Sequence, residues 1–172
     1  MRPEIAVAAV TLAFAAYIDW KEHRVPNWLT FSAWGIGLLY QGWVGGIEGL
    51  EYGMIGSAVG IAVLILPYAL NGMGAGDVKL MAAVGAWVGA SDLLNAFLWI
   101  ALIGGGMGLY AMIRSRQLKK RLWLVLTASK NLFALKKLDM GNSESTPPKI
   151  LLPYGVPIAF GFYAYFLFGG LL

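Results

Sequence analysis

Apolar runs recur along this chain, most of them parted by short polar breaks, and they leave few folds open. Residues 61–70 and 81–88 carry no charged side chain. Hydrocarbon offers a backbone no hydrogen-bond partners, so runs of this kind enter a bilayer as helices. Composition agrees: 59% of the 172 residues are hydrophobic and 13% charged, with a mean hydropathy of +0.67. Soluble domains are typically about 45–50% apolar and about 25% charged. The expectation is an all-α membrane protein, with 1–172 a single integral-membrane domain.

Six spans are expected, at about 5–18, 28–44, 52–70, 78–90, 93–113 and 150–172. The first follows Arg2 and lacks a well-placed small-residue cleavage site, so it reads as a retained span rather than a signal peptide. The fourth is short. Thirteen residues give roughly 20 Å of helix against about 30 Å of hydrocarbon, which suggests a thinned bilayer or a dipping loop before it. Between the fifth and sixth spans, nine of the thirteen Lys and Arg residues fall within 114–149. Leu118, Leu122, Val125, Leu132 and Leu135 recur there at roughly helical spacing. The pattern over about 114–140 suits a basic amphipathic segment lying on anionic lipid headgroups. Residues 141–148 read as a linker. The net charge of +4 is spent at the membrane surface in this reading, and no nucleic-acid partner is expected.

Charge placement also orients the chain. Six spans put the turn after the first span, the loop before the fourth and the 114–149 segment on one side. That side holds twelve Lys and Arg residues and the other holds only Arg2. The positive-inside rule makes the twelve-residue side cytoplasmic, with both termini outside.

The chemistry-bearing candidates follow from this frame. Glu4, Glu48, Glu51 and Asp92 fall at the outer face, and Asp139 and Glu144 in the polar cytoplasmic segment. Asp19 and Asp77 differ, because each adjoins the end of a span on the cytoplasmic side. Asp77 sits in Gly72-Met73-Gly74-Ala75-Gly76-Asp77-Val78-Lys79-Leu80, a glycine-rich loop in an apolar chain. An acid at a membrane boundary is costly and marks a functional site by default. Two carboxyls at one depth can share a proton and a water, one acting as base and the other as acid. There is no cysteine and only one histidine, His23. No metal-ligand set is visible, so a metal-free, cofactor-free two-acid mechanism is expected. Against it stand plainer roles: Asp77 as a helix cap, Asp19 as a water-exposed turn acid, and Lys79 and Arg24 as membrane anchors. The pairs Gly56/Gly60, Gly85/Gly89 and Gly104/Gly108 fit close helix packing.

Three segments carry a resemblance. Gly74-Ala75-Gly76-Asp77-Val78-Lys79-Leu80 resembles the G-x-G-D-x-K-L signature of the type IV prepilin peptidases, which are membrane-embedded aspartic proteases. Asp19 with Arg24-Val25-Pro26-Asn27-Trp28-Leu29-Thr30 is similar to the segment around that family's first aspartate. Leu152-Pro153-Tyr154-Gly155-Val156-Pro157 resembles its late proline–glycine stretch, with Val156 inserted. The resemblance implies an inner-membrane endopeptidase that removes a short basic leader from prepilin-like precursors at the cytoplasmic face. It implies Asp19 and Asp77 as catalytic residues. Gly74 and Gly76 would shape the loop, and Lys79 would tune the local field. Larger relatives also N-methylate the product and carry an added, often cysteine-bearing, cytoplasmic domain. This chain resembles the short class, as for tight-adherence (Flp) pili or archaeal preflagellins, for which peptidase activity without methylation is expected. Other readings of the same residues are a presenilin-like protease cutting within a transmembrane helix, a small transporter and a non-enzymatic assembly factor. Substrate-binding residues and oligomeric state are not legible.

Overall fold

The computed structural model describes residues 3–69, 73–114 and 154–169. They form four helices: α1 (Pro3–Glu22), α2 (Asn27–Ala69), α3 (Ala75–Arg114) and α4 (Gly155–Phe168). No strand occurs among the described residues. The first three helices are long and apolar enough to cross a membrane. The basic segment expected over about 114–140 falls, beyond Arg114, outside the described residues. So do the 141–148 linker, Gly72 and Pro153. The described residues divide into two compact units, 1–106 with 152–172 and 107–151.

A straight helix as long as α2, with its 43 residues, would measure roughly 65 Å, about twice a hydrocarbon core. It is not straight. Gly46 takes φ 61° and ψ −137°, a conformation that glycine adopts without steric cost. The chain folds back at that residue. Trp34 Nε1 donates to Ser57 Oγ at 3.0 Å, Leu38 abuts Gly53, and the Gln41 carbonyl abuts Gly49, so 27–45 and 47–69 form an antiparallel hairpin. A seven-residue turn was expected between these runs, and a single residue makes it. Gly89, at φ 76° and ψ 178°, breaks α3 in the same way. Leu93 then packs back onto Gly85.

The pairings set the direction of every run. Gly56 lies against the Gly85 backbone, Gly60 against Met81 and Tyr52 against Gly89, so 47–69 and 75–88 are antiparallel. The Gly56/Gly60 and Gly85/Gly89 pairs thus sit where two helix backbones touch. Residues 27–45 run parallel to 75–88, with Asn27 beside Lys79 and Ala33 beside Trp87. α1 and α4 are antiparallel, joined by Gly155 to Asp19 and Tyr163 to Ala9. Gly104 faces Pro157 and Ile100 faces Gly161. The described helical runs therefore alternate in direction, and one end of the unit collects Asp19, residues 23–27, the start of α3 and the start of α4.

The run 75–88 is the centre of this arrangement. Every residue from 80 to 89 is buried, as suits a helix that is apolar on all sides. Its neighbours are protein helices, a setting in which the irregular backbone before it at 73–74 is tolerated. Leu80, Met81, Val84 and Trp87 pack in one core with Leu12 of α1 and with Ile158 and Phe162 of α4.

Candidate active site

Asp19 belongs to the last turn of α1, which runs on to Glu22 rather than stopping at 18. His23 ends the helix in the left-handed conformation, φ 51°, and its N–H bonds the Asp19 carbonyl at 2.9 Å. That is the αL type of helix end. The Asp19 side chain turns inward and is only 4% exposed, which removes the reading of it as a water-exposed turn acid. Its Oδ2 accepts the Gly155 N–H at 2.7 Å.

Asp77 is likewise inside a helix and not before it. α3 starts at Ala75, which places Asp77 in the first turn with 6% exposure. Its Oδ2 accepts the Gly74 N–H at 3.1 Å, and its own N–H bonds the Gly74 carbonyl at 3.2 Å. A carboxylate reaching back to the N-cap amide is one half of a capping box. Asp77 is therefore not the N-cap residue itself, which is Gly74, but it does help to cap the helix from within its first turn. That role occupies one carboxyl oxygen.

Packing at the loop brings the two acids to one place. A Cβ on Gly76 would stand 3.2 Å from both the Cβ and the carbonyl of Val25, so glycine lets the start of α3 press on the turn that leaves α1. Lys79 Nζ donates to Asn27 Oδ1 at 2.9 Å and lies 5.2 Å from the centroid of the Phe31 ring. It ties α3 to the start of α2 as well as placing a charge. Gly76, next to Asp77, thus packs on Val25, six residues after Asp19, and the two acids sit at the same end of the unit. Among the described residues each carboxylate makes one hydrogen bond, through Oδ2. That leaves Oδ1 of each for a water or a substrate group.

Of the residues singled out from sequence, Asp19, Asp77, Gly74, Gly76 and Lys79 all gather at this end. Gly155 and Asn27 were in the quoted segments but were given no role. Both act through contacts between residues distant in sequence, one by a backbone amide. The other acids behave differently. Glu4 and Asp92 line a cavity at the opposite end with Gln41, Tyr52 and Trp87, where the break at Gly89 frees carbonyls for side chains to bind.

Comparison with known proteins bears on what this end is for. The model of the type IV leader peptidase family matches residues 6–109, a stretch that holds both aspartates. The chain belongs to the type IV leader peptidase family. Among curated members, prepilin leader peptidase/N-methyltransferase of Aeromonas hydrophila is 37% identical over 106 residues, covering 57% of this chain and 36% of that protein. The protein of that name from Burkholderia pseudomallei (strain 1026b) is 34% identical over 117 residues, covering 64% and 37%. That from Escherichia coli K12 is 33% identical over 130 residues, covering 67% and 56%. The chain thus spans from about a third to just over half of the length of these relatives. No solved structure matches. Membership of the leader peptidase family and the long apolar helices agree on a multi-pass membrane protein.

Proposed function

We propose that this chain is an aspartic endopeptidase of the inner membrane, with Asp19 and Asp77 as its catalytic pair. The substrate class is prepilin-like precursors, cut at the junction of a short basic leader and an apolar helix. One observation carries the reading. Two buried carboxyls from helices far apart in sequence lie at the same end of the unit, each with Oδ1 unbonded among the described residues, in a chain of the leader peptidase family. One carboxylate removes a proton from water as the oxygen attacks the scissile carbonyl. The other, protonated, gives its proton to the leaving amine, so the peptide bond breaks with a carboxyl and an amine as products. The pair supplies hydrolysis, and N-methylation of the new terminus is not part of its assigned chemistry.

In this reading 1–172 is one peptidase domain, the alternating helical runs cross the membrane six times, and the dyad end faces the cytoplasm. The Lys and Arg residues of 114–149 meet anionic headgroups. The scissile bond lies at headgroup depth while the apolar helix stays in lipid. The test is co-expression of a pilin precursor with wild type, Asp19→Ala and Asp77→Ala at matched membrane levels, with mass spectrometry of the product terminus. Leader loss with wild type alone is expected, and the new terminus unmethylated. Cleavage by all three removes the dyad. A cut in mid-helix replaces the reading with a presenilin-like one.

A further inference from the structure

Among the described residues, no side chain of the local chain caps the start of α4. Tyr154 at the N-cap makes no side-chain capping bond, and Pro157 in the first turn has no amide hydrogen. A helix start carries unpaired N–H groups and partial positive charge, and it draws an acceptor, above all an anionic one. Here the acceptor comes from 136 residues away, where Asp19 Oδ2 takes the Gly155 N–H at 2.7 Å in a buried setting.

A side chain at this position would press on the Asp19 carboxyl and shift it by a few tenths of an ångström. A Cβ on Gly155 would stand 3.0 Å from Asp19 Oδ2, 3.1 Å from its Cβ and 3.3 Å from its Cγ. The missing side chain and the close amide are one feature, since the backbone reaches the carboxylate because nothing projects between them. Further along, Tyr163 Oη donates to the Ala9 carbonyl at 2.7 Å, so α4 is fixed to α1 along its length and its start is held at Asp19. Gly155 lies outside the stretch matched by the family model, which ends at 109.

We propose that Gly155 is a positioning residue of the active centre. Its amide fixes the orientation of the Asp19 carboxyl by binding Oδ2, leaves Oδ1 as the edge that meets water and substrate, and makes the last helix a working part of the dyad. The proposal rests on the reading of Asp19 and Asp77 as the catalytic pair.

The test compares wild type, Gly155→Ala and Asp19→Asn in proteoliposomes with a pilin precursor, at matched amounts of folded protein. Gly155→Ala is expected to lower kcat by about ten- to a hundredfold, as for a misplaced reacting group, with KM unchanged. The acid side of its kcat–pH profile is expected to change shape, whereas loss of folded enzyme scales the profile equally at every pH. A wild-type kcat, or a profile merely scaled, overturns the proposal. A second measurement needs no alanine at 155. In protein labelled with ¹⁵N-glycine, the Gly155 amide proton is expected far downfield and moves upfield in Asp19→Asn, while an unmoved resonance overturns the proposal. If wild type does not cleave, or Asp19→Asn cleaves fully, the peptidase reading fails by itself. The amide resonance still reports whether Gly155 holds Asp19.

Discussion

An ionised carboxylate has room for about four hydrogen-bond donors, yet Asp19 and Asp77 are nearly fully buried with one described donor each. Acids in that state are expensive for a fold, and substitution tells what they are for. Asp19→Asn and Asp77→Asn keep the side-chain volume and remove the proton chemistry. Each is expected to cut the cleavage rate by about 10²–10⁴-fold, the usual worth of a general acid or base. Melting temperatures in detergent should stay level with wild type, and initial rates in proteoliposomes check the loss. Lys79→Met probes a different link. It keeps an apolar stem over Phe31 and removes the donor to Asn27. Partly exposed charged contacts are worth about 0.2–1 kcal/mol, so a fall of at most about fivefold in kcat is expected, and Asn27→Ala in the same background should add little. The two acids were legible in the sequence because charge is rare in so apolar a chain and both adjoin span ends. The anchor of Asp19 was not, because a backbone amide has no residue signature and Gly155 beside prolines reads as a helix entry.

At the scale of the element, the two breaks in long helices carry the fold. At Gly89 the helical ladder is interrupted, and the carbonyls of Trp87 and Val88 are taken by the side chains of Gln41 at 2.7 Å and Tyr52 at 2.5 Å. These bonds seat the far end of the run that carries Asp77. Tyr52→Phe and Gln41→Leu each withdraw a donor from a carbonyl at this break. Each is expected to destabilise the protein by about 1–3 kcal/mol, read as a lower melting temperature with kcat near wild type below the transition. Gly89→Ala is expected to cost more. Its Cβ would enter the Tyr52 ring, and a backbone near φ 76° and ψ 178° suits glycine alone. The helical character was readable from the long apolar runs. The turns were drawn too long, at 45–51 above all, because polarity was taken to end a helix. Glu48 and Glu51 are exposed residues inside the helix, so polarity there marks where the chain leaves apolar surroundings and not where its hydrogen bonds stop.

For the whole molecule, the proposed orientation turns on one relation: the dyad end and the Gly46 end lie on opposite faces. The helical runs alternate in direction, which puts Glu22 beside the dyad and Glu48 beside the turn at Gly46, both exposed. Lys21, Arg24 and Lys79 cluster with the dyad, whereas Glu48 and Glu51 stand at the other end. Positive charge resists transfer across the membrane, so the dyad end is assigned to the cytoplasm. The chain contains no cysteine, so single introduced thiols report position without background. In sealed right-side-out vesicles, a membrane-impermeant maleimide is expected to label Glu48→Cys at once and Glu22→Cys only after permeabilisation. The reverse pattern would invert the chain and put the dyad on the face where a cytoplasmic leader cannot reach it. Labelling of both thiols before permeabilisation would break the relation itself, because an even number of crossings would then separate residues that the single run 27–45 holds one crossing apart.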